Sequence, residues 1–147
     1  MTATPQLSYS SSEARQNFKQ VLDAAENDFL VSVRRGSAHT ALVSAPHLRR
    51  YLELTCPAHA RTVLEDNGYV IFMEGLPFAA EGSTLQEALD DLIVVLREYA
   101  ADWGARLRLA PNHADRWGLV QLINLSSDQE LIDWLKAEAT GSRRRGE

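Results

Sequence analysis

Hydrophobic positions change their spacing repeatedly along the 147 residues, and each change predicts an element. Residues 6–9 fit a short strand. Ser10 then fits a helix N-cap, with Glu13 three residues on as its capping-box partner. Ala14, Phe18, Val21, Leu22 and Ala25 fall on one face of a helix that runs to Glu26, and Arg15, Gln16 and Lys19 lie largely off that stripe. Phe29, Val31 and Val33 alternate with Leu30, Ser32 and Arg34, a strand pattern that Gly36 ends. Residues 40–44 make the return strand, so Arg34 and Arg35 sit at the turn of a hairpin. Pro46 suits the first turn of another helix, with Leu48, Tyr51 and Leu52 as its apolar face.

Residues 54–61, containing Cys56-Pro57, read as a linker. A second hairpin follows: residues 61–65 and 69–74 flank Asp66-Asn67-Gly68, a tight-turn signal. Residues 78–81 fit a third strand. Ser83 or Thr84 then caps a long helix with Glu87 in its first turn. Leu85, Ala88, Leu89, Leu92, Val95, Leu96 and Tyr99 form its apolar stripe, which Ile93 and Val94 make wider than one sheet face needs. Strands are expected at 106–109 and 119–123. A helix at 128–139, capped by Ser126 or Ser127, and a short basic tail at 141–147 complete the pattern.

Composition changes this picture little, whereas the placement of charge changes it more. Hydrophobic residues make up 45 % and charged residues 24 % of the chain, as in ordinary soluble proteins. No apolar run approaches the roughly 18 residues that a membrane span needs, and the N-terminus lacks the pattern of a secretory signal. One cysteine, Cys56, excludes an internal disulfide and a multi-cysteine zinc site. The expected location is the cytoplasm. Net charge is −5, but residues 1–55 hold six basic against five acidic side chains, and residues 56–147 hold nine against fifteen. A near-neutral head with well-placed arginines suits DNA, and an acidic body suits a basic protein partner.

The start of the first helix and the hairpin turn supply the candidate DNA chemistry. Helix-terminal N–H groups with the Ser11 and Ser12 hydroxyls suit a phosphate. Arg15 and Gln16 reach far enough for a base edge, where arginine pairs bidentately with guanine. Taken alone, the helix fits an ordinary capped surface helix with solvated charges better, and a charged turn is common; their pairing is the more specific signal.

The words SEARQNF (residues 12–18), VRRG (33–36) and TALVS (40–44), with the later Tyr51, resemble the head of a Phd/YefM-type antitoxin over residues 4–54. The resemblance implies an α/β dimerisation head, binding of operator DNA, and repression of the protein's own operon. Carried over residue by residue, it implies DNA contacts at Ser11, Ser12, Arg15, Gln16, Lys19, Arg34 and Arg35. Such antitoxins usually end in a short tail that wraps a toxin; here a patterned segment follows instead.

That segment, residues 61–103, resembles a HicB-type antitoxin domain in its aromatic strand, Leu76-Pro77, Gly82-Ser83-Thr84 and Glu87-Ala88, with Phe78 where the family often has glycine. The resemblance implies a partial RNase H-type fold that neutralises a small toxin by covering it. The expected fold class is therefore α+β. Residues 1–55 are a Phd/YefM-like DNA-binding and dimerisation domain, and residues 60–140 a HicB-like toxin-neutralising domain with a C-terminal strand and helix.

The expected partners are a cognate small basic protein toxin, operator DNA and a second copy of the chain in a homodimer or higher homo-oligomer. Glu87, Asp90, Asp91 and Glu98 are the candidate toxin-facing rim. Neutralisation by occlusion needs no catalytic residue, metal or cofactor, and none is expected. Two readings compete: a transcription regulator with a ligand-sensing or oligomerising C-terminal domain and no toxin, and a metal-dependent nuclease using Glu74, Glu87, Asp90, Asp91 and Glu98. The last is disfavoured because four of these carboxylates follow the polar side of one helix. His39, His47, His59 and His113 show no helical metal spacing, and Trp103, Trp117 and Trp134 read as core or interface anchors.

Overall fold

Caps and tight turns fix most element boundaries in the computed structural model, which describes residues 4–142. By compactness the chain divides into two units, Met1–Arg50 and Tyr51–Glu147. In the first, β1 (Ser8–Ser10) leads into α1 (Ser11–Gln16) and α2 (Phe18–Glu26), followed by β2 (Val31–Arg35) and β3 (Ala38–Leu42). The division falls inside α3 (Ala45–Thr55). The second unit continues with β4 (Ala60–Glu65), β5 (Gly68–Met73), β6 (Ala79–Gly82), α4 (Leu85–Ala105), α5 (Trp117–Leu125) and α6 (Asp128–Ser142).

In the first unit Ser10 caps α1, its Oγ accepting from the Glu13 N–H at 3.1 Å. Among the described residues only this half of the expected capping box forms, and the Glu13 carboxylate accepts from Gln6 Nε2 at 3.2 Å. The single helix expected over residues 10–26 is interrupted at Asn17. Its Nδ2 donates to the Glu13 carbonyl at 2.8 Å, a local bond that competes with regular helix. Ala14, Val21, Ala24 and Ala25 face inward, whereas Phe18 and Leu22, expected on the buried stripe, are exposed. The sheet order is β1-β2-β3, parallel between β1 and β2 and antiparallel between β2 and β3. Gly36 turns the hairpin at φ +60°, in the left-handed region that favours glycine. Tyr9, Ala14, Val21, Ala24 and Val31 form the core, with Leu7, Val33 and Leu42 packed against it.

The second unit has a β4-β5-β6 antiparallel sheet with α4 packed on β5 and β6. The Asp66-Asn67 turn lies between the paired residues Glu65 and Gly68. Gly68 has φ +143°, and a Cβ there would stand 2.3 Å from the Gly82 carbonyl oxygen. Thr84 caps α4 by accepting from the Glu87 N–H. Leu89, Leu92, Ile93 and Leu96 are buried, whereas Val94 is exposed.

Three expectations fail here. The proposed C-terminal strand at 119–123 is α5, with Leu119, Val120, Leu122 and Ile123 buried at helical spacing. A short apolar run fits either period, and packing with α4 decides for the helix. The strand expected at 106–109 is a 3₁₀ turn, Leu107–Leu109. The expected linker is structured: α3 reaches Thr55, Ala58 and Ala60 are buried, and the Cys56 carbonyl accepts from Trp134 Nε1 at 2.9 Å. Ser127 caps α6 through reciprocal bonds with Glu130. Of the basic tail expected at 141–147, residues 143–147 lie outside the described residues.

Candidate functional site

The first unit's sheet decides which proposed DNA residues meet. In the parallel ladder Ser8 pairs with Ser32, Tyr9 with Val33 and Ser10 with Arg34. Neighbouring strands lie about 4.8 Å apart, so the cap residue of α1 and the arginine turn share one end of the sheet. Ser11, Ser12, Arg15 and Gln16 follow directly from that end. Ser11 and Arg15, and Ser12 and Gln16, are four residues apart in α1 and hence neighbours on its surface. With only six residues, α1 contributes little dipole, so the positive charge of this end comes from side chains.

Arg15, Arg34 and Arg35 are exposed, and no ion pair neutralises them among the described residues. Strand alternation puts Arg34 and Arg35 on opposite faces of the sheet. Arg35 follows Val31 and Val33 on the core-facing side, where the helices lie; Arg34 shares the other side with Ser10 and His39. His39 pairs with Arg34 in the β2–β3 ladder, a neighbour to which sequence reasoning gave no role. Counting back across a two-residue Gly36-Ser37 turn would have found it. Lys19 is set apart from this group. It lies beyond the Asn17 interruption, and its ammonium stands 3.7 Å from the Asp23 carboxylate.

The four candidate toxin-facing carboxylates are all exposed along α4, but their local roles differ. Glu87 accepts from both the N–H and the Oγ of Ser83, at 3.0 and 2.6 Å. These hydrogen bonds hold its carboxyl below the ordinary carboxylate range. Glu87 therefore serves the helix start whatever else it meets. Asp90 accepts from Gln86 at 2.8 Å. Asp91 and Glu98 flank the exposed Val94 at helical spacing, which makes a small apolar spot edged by negative charge. On the same helix, Arg97 turns toward the end of α5: it donates to the Ile123 and Ser126 carbonyls and pairs with Asp128.

Other chemistry-bearing residues are taken up structurally. Tyr99 Oη meets His113 Nδ1 at 2.8 Å, and Trp103 Nε1 donates to the His113 carbonyl. These contacts clamp the loop against α4, and burial raises the Tyr99 hydroxyl above its ordinary pKa. Trp103 and Trp134 are buried, whereas Trp117 is half exposed. Glu74 forms an ion pair with Arg61. Among the described residues no three His, Cys, Asp or Glu side chains converge as a metal site, and no helix is long and apolar enough to cross a membrane.

A family model described as PHD-like, "Antitoxin of toxin-antitoxin, RelE / RelB, TA system", matches residues 6–135. The chain belongs to this antitoxin family. The match runs through both compact units of the antitoxin, where the sequence motifs had pointed to two families in tandem. A solved structure from Syntrophomonas wolfei subsp. wolfei, described as an antitoxin part of a candidate toxin/antitoxin system, has the same fold. It aligns with a TM-score of 0.73 at 23 % identity, covering 86 % of this chain and 94 % of that one. No curated protein matches the sequence.

Proposed function

We propose that this antitoxin neutralises a cognate small basic protein toxin by direct, stoichiometric binding in the cytoplasm, and represses its own operon by binding operator DNA as a homodimer or higher homo-oligomer. The observation that carries the DNA half is the β1–β2 register. By setting Ser10 beside Arg34, it gathers Ser11, Ser12, Arg15 and Gln16 with Arg34 and Arg35 at one end of a small sheet. Exposed arginines that make no ion pair among the described residues are an electrostatic fit to phosphates, and long planar guanidinium groups read guanine edges. Lys19 joins as an outlying phosphate contact that must first leave Asp23.

In this reading residues 1–55 are the Phd/YefM-like operator-binding and dimerisation domain, and residues 60–140 the HicB-like toxin-neutralising domain. The toxin half draws support from the acidic balance of residues 56–147 and from the exposed Asp91, Val94 and Glu98 on α4. Asp90 and Glu87 extend the negative rim. Occlusion of the toxin's working surface requires no reaction by the antitoxin.

Co-expression of the chain with its genomic neighbours, followed by affinity purification and toxicity rescue, tests the toxin half. Footprinting on the DNA upstream of its own gene tests the operator half. Protection of a palindromic site there is expected; uniform, sequence-independent binding contradicts it.

A further inference from the structure

The outer strand of the second sheet carries a pattern that fits another copy of itself. β4 is the edge of the β4-β5-β6 order, and all five residues from Arg61 to Glu65 are exposed. Val63 and Leu64 are 44 % and 70 % exposed, on opposite faces of the strand. Edge strands are normally blunted by lysines, proline, a bulge or a cover. β4 has no lysine or proline, and its register with β5 runs unbroken from Ala60–Met73 to Glu65–Gly68; α6 approaches β4 but leaves residues 61–65 exposed.

What β4 has instead is one positive and one negative charge, Arg61 and Glu65, placed symmetrically about Val63. Like charges would repel a second copy. Opposite charges at equal distances from a central residue do the reverse in an antiparallel pair, where Arg61 meets Glu65 of the partner and Glu65 meets Arg61.

The backbone has the matching phase. A two-residue turn makes Glu65–Gly68 a hydrogen-bonded pair, as are Val63–Val70 and Arg61–Phe72 further along. The N–H and C=O groups of Thr62 and Leu64 therefore point to the open edge. In a ladder centred on Val63, Thr62 of one copy exchanges both bonds with Leu64 of the other. Val63 then stands opposite Val63 in a close pair with Cβ atoms about 5 Å apart.

We propose that β4 pairs antiparallel with β4 of a second copy in the register centred on Val63, joining two three-stranded sheets into one six-stranded sheet across a two-fold axis. The interface is isologous: the same patch serves both copies. It lies wholly in the second unit, so it is separate from any dimer made by residues 1–55, and it needs no toxin.

The test is thiol cross-linking of the full chain in a Cys56→Ser background, combined with sedimentation. Val63→Cys should give a covalent dimer under mild oxidation, and Thr62→Cys, one residue out of register, should not. Arg61→Glu alone or Glu65→Arg alone should weaken this association about tenfold and remove the Val63→Cys link, because each sets like charges opposite each other. The double swap Arg61→Glu/Glu65→Arg should restore the link, as should mixing the two single variants, which pair complementarily. Both Arg61→Glu variants lose the Glu74 ion pair, so rescue reports the contact between copies. With folding verified by circular dichroism, absence of the Val63→Cys link, or failure of the swap and the mixture to restore it, overturns the proposal.

Discussion

The two units bury different kinds of core. The second fills its interior with Leu89, Leu92, Leu96, Leu122, Ile123, Leu131 and Leu135, backed by Met73, Trp103 and Trp134. The first has a core of Tyr9, two alanines and two valines, and leaves Phe18 and Leu30 54 % and 58 % exposed. Units of some 50 residues sit near the lower limit for independent stability. The first unit thus has the smaller core, and its exposed Phe18, Leu22, Phe29 and Leu30 are available to the proposed head dimer. The second unit also exposes large apolar side chains, Leu54, Leu64, Leu109 and Trp117 among them, beside an acidic helix face and an open sheet edge. One chain thus joins a small unit with a sparse core to a larger one with a well-filled interior.

That contrast breaks first under core truncation. Leu92→Ala, at the centre of α4, is expected to cost about 2–5 kcal/mol by loss of buried surface and the cavity left behind. Val31→Ala in the first unit removes fewer methyl groups and should cost less. Urea titration, followed by Trp103 and Trp134 fluorescence for the second unit and by amide exchange for the first, separates the two. Equal losses would show that the cores are not unequal in the way described.

Next in size is operator affinity. Arg34→Ala should weaken operator binding by about 1–3 kcal/mol if the lost contact is a bidentate guanine pair, with little change in melting because Arg34 is exposed. A gel-shift titration at fixed salt measures it. An unchanged midpoint would remove Arg34 from the DNA surface and leave Arg35, on the helix side of the sheet, to carry the turn's contribution.

Much of this organisation was legible in the sequence wherever a signal is local. Ser10, Thr84 and Ser127 cap their helices by bonds that span three residues. Asn67-Gly68 marks its turn because the geometry needs glycine there. Failures came where tertiary contacts decide. The run at 119–123 has no polar residue except Gln121 to fix its period, and it became a helix by packing with α4. The Asn17 interruption is instead local, a residue at φ −118° whose side chain also bonds the Glu13 carbonyl, and it carries no Gly or Pro signal. For the candidate site, the element order already puts the helix start near the arginine turn, whereas the means, a parallel β1–β2 pairing that sets Ser10 beside Arg34, has no local signal. Glu87 was read for charge, and its bonds to Ser83 show that it also finishes a cap.

Smaller effects are expected on toxin association. Asp91→Lys together with Glu98→Lys should lower the association rate severalfold at low salt, with less effect on dissociation, since rim charges steer encounter more than they hold the complex. Surface plasmon resonance against the purified toxin at several salt concentrations resolves the two rates. A change confined to dissociation would place these residues inside the contact.

Smallest is the acid response of α4. Hydrogen bonds from Ser83 lower the Glu87 pKa in the folded state. Its stabilising contribution is therefore present above the ordinary carboxylate pKa and is lost as pH falls through the lowered value. Melting of wild type and Glu87→Ala should differ at neutral pH and converge in acid. A difference that persists at low pH would assign the effect to helix propensity rather than to the ionised cap.

In the proposed function, operator recognition and toxin neutralisation use separate surfaces of one chain, and that separation is measurable. Its most direct test is to measure both affinities on the full-length triple variant Arg15→Ala/Arg34→Ala/Arg35→Ala. Operator affinity should fall at least about tenfold, with toxin affinity and inhibition unchanged. Loss of both affinities in this one variant would contradict that separation and move the neutralising surface into residues 1–55.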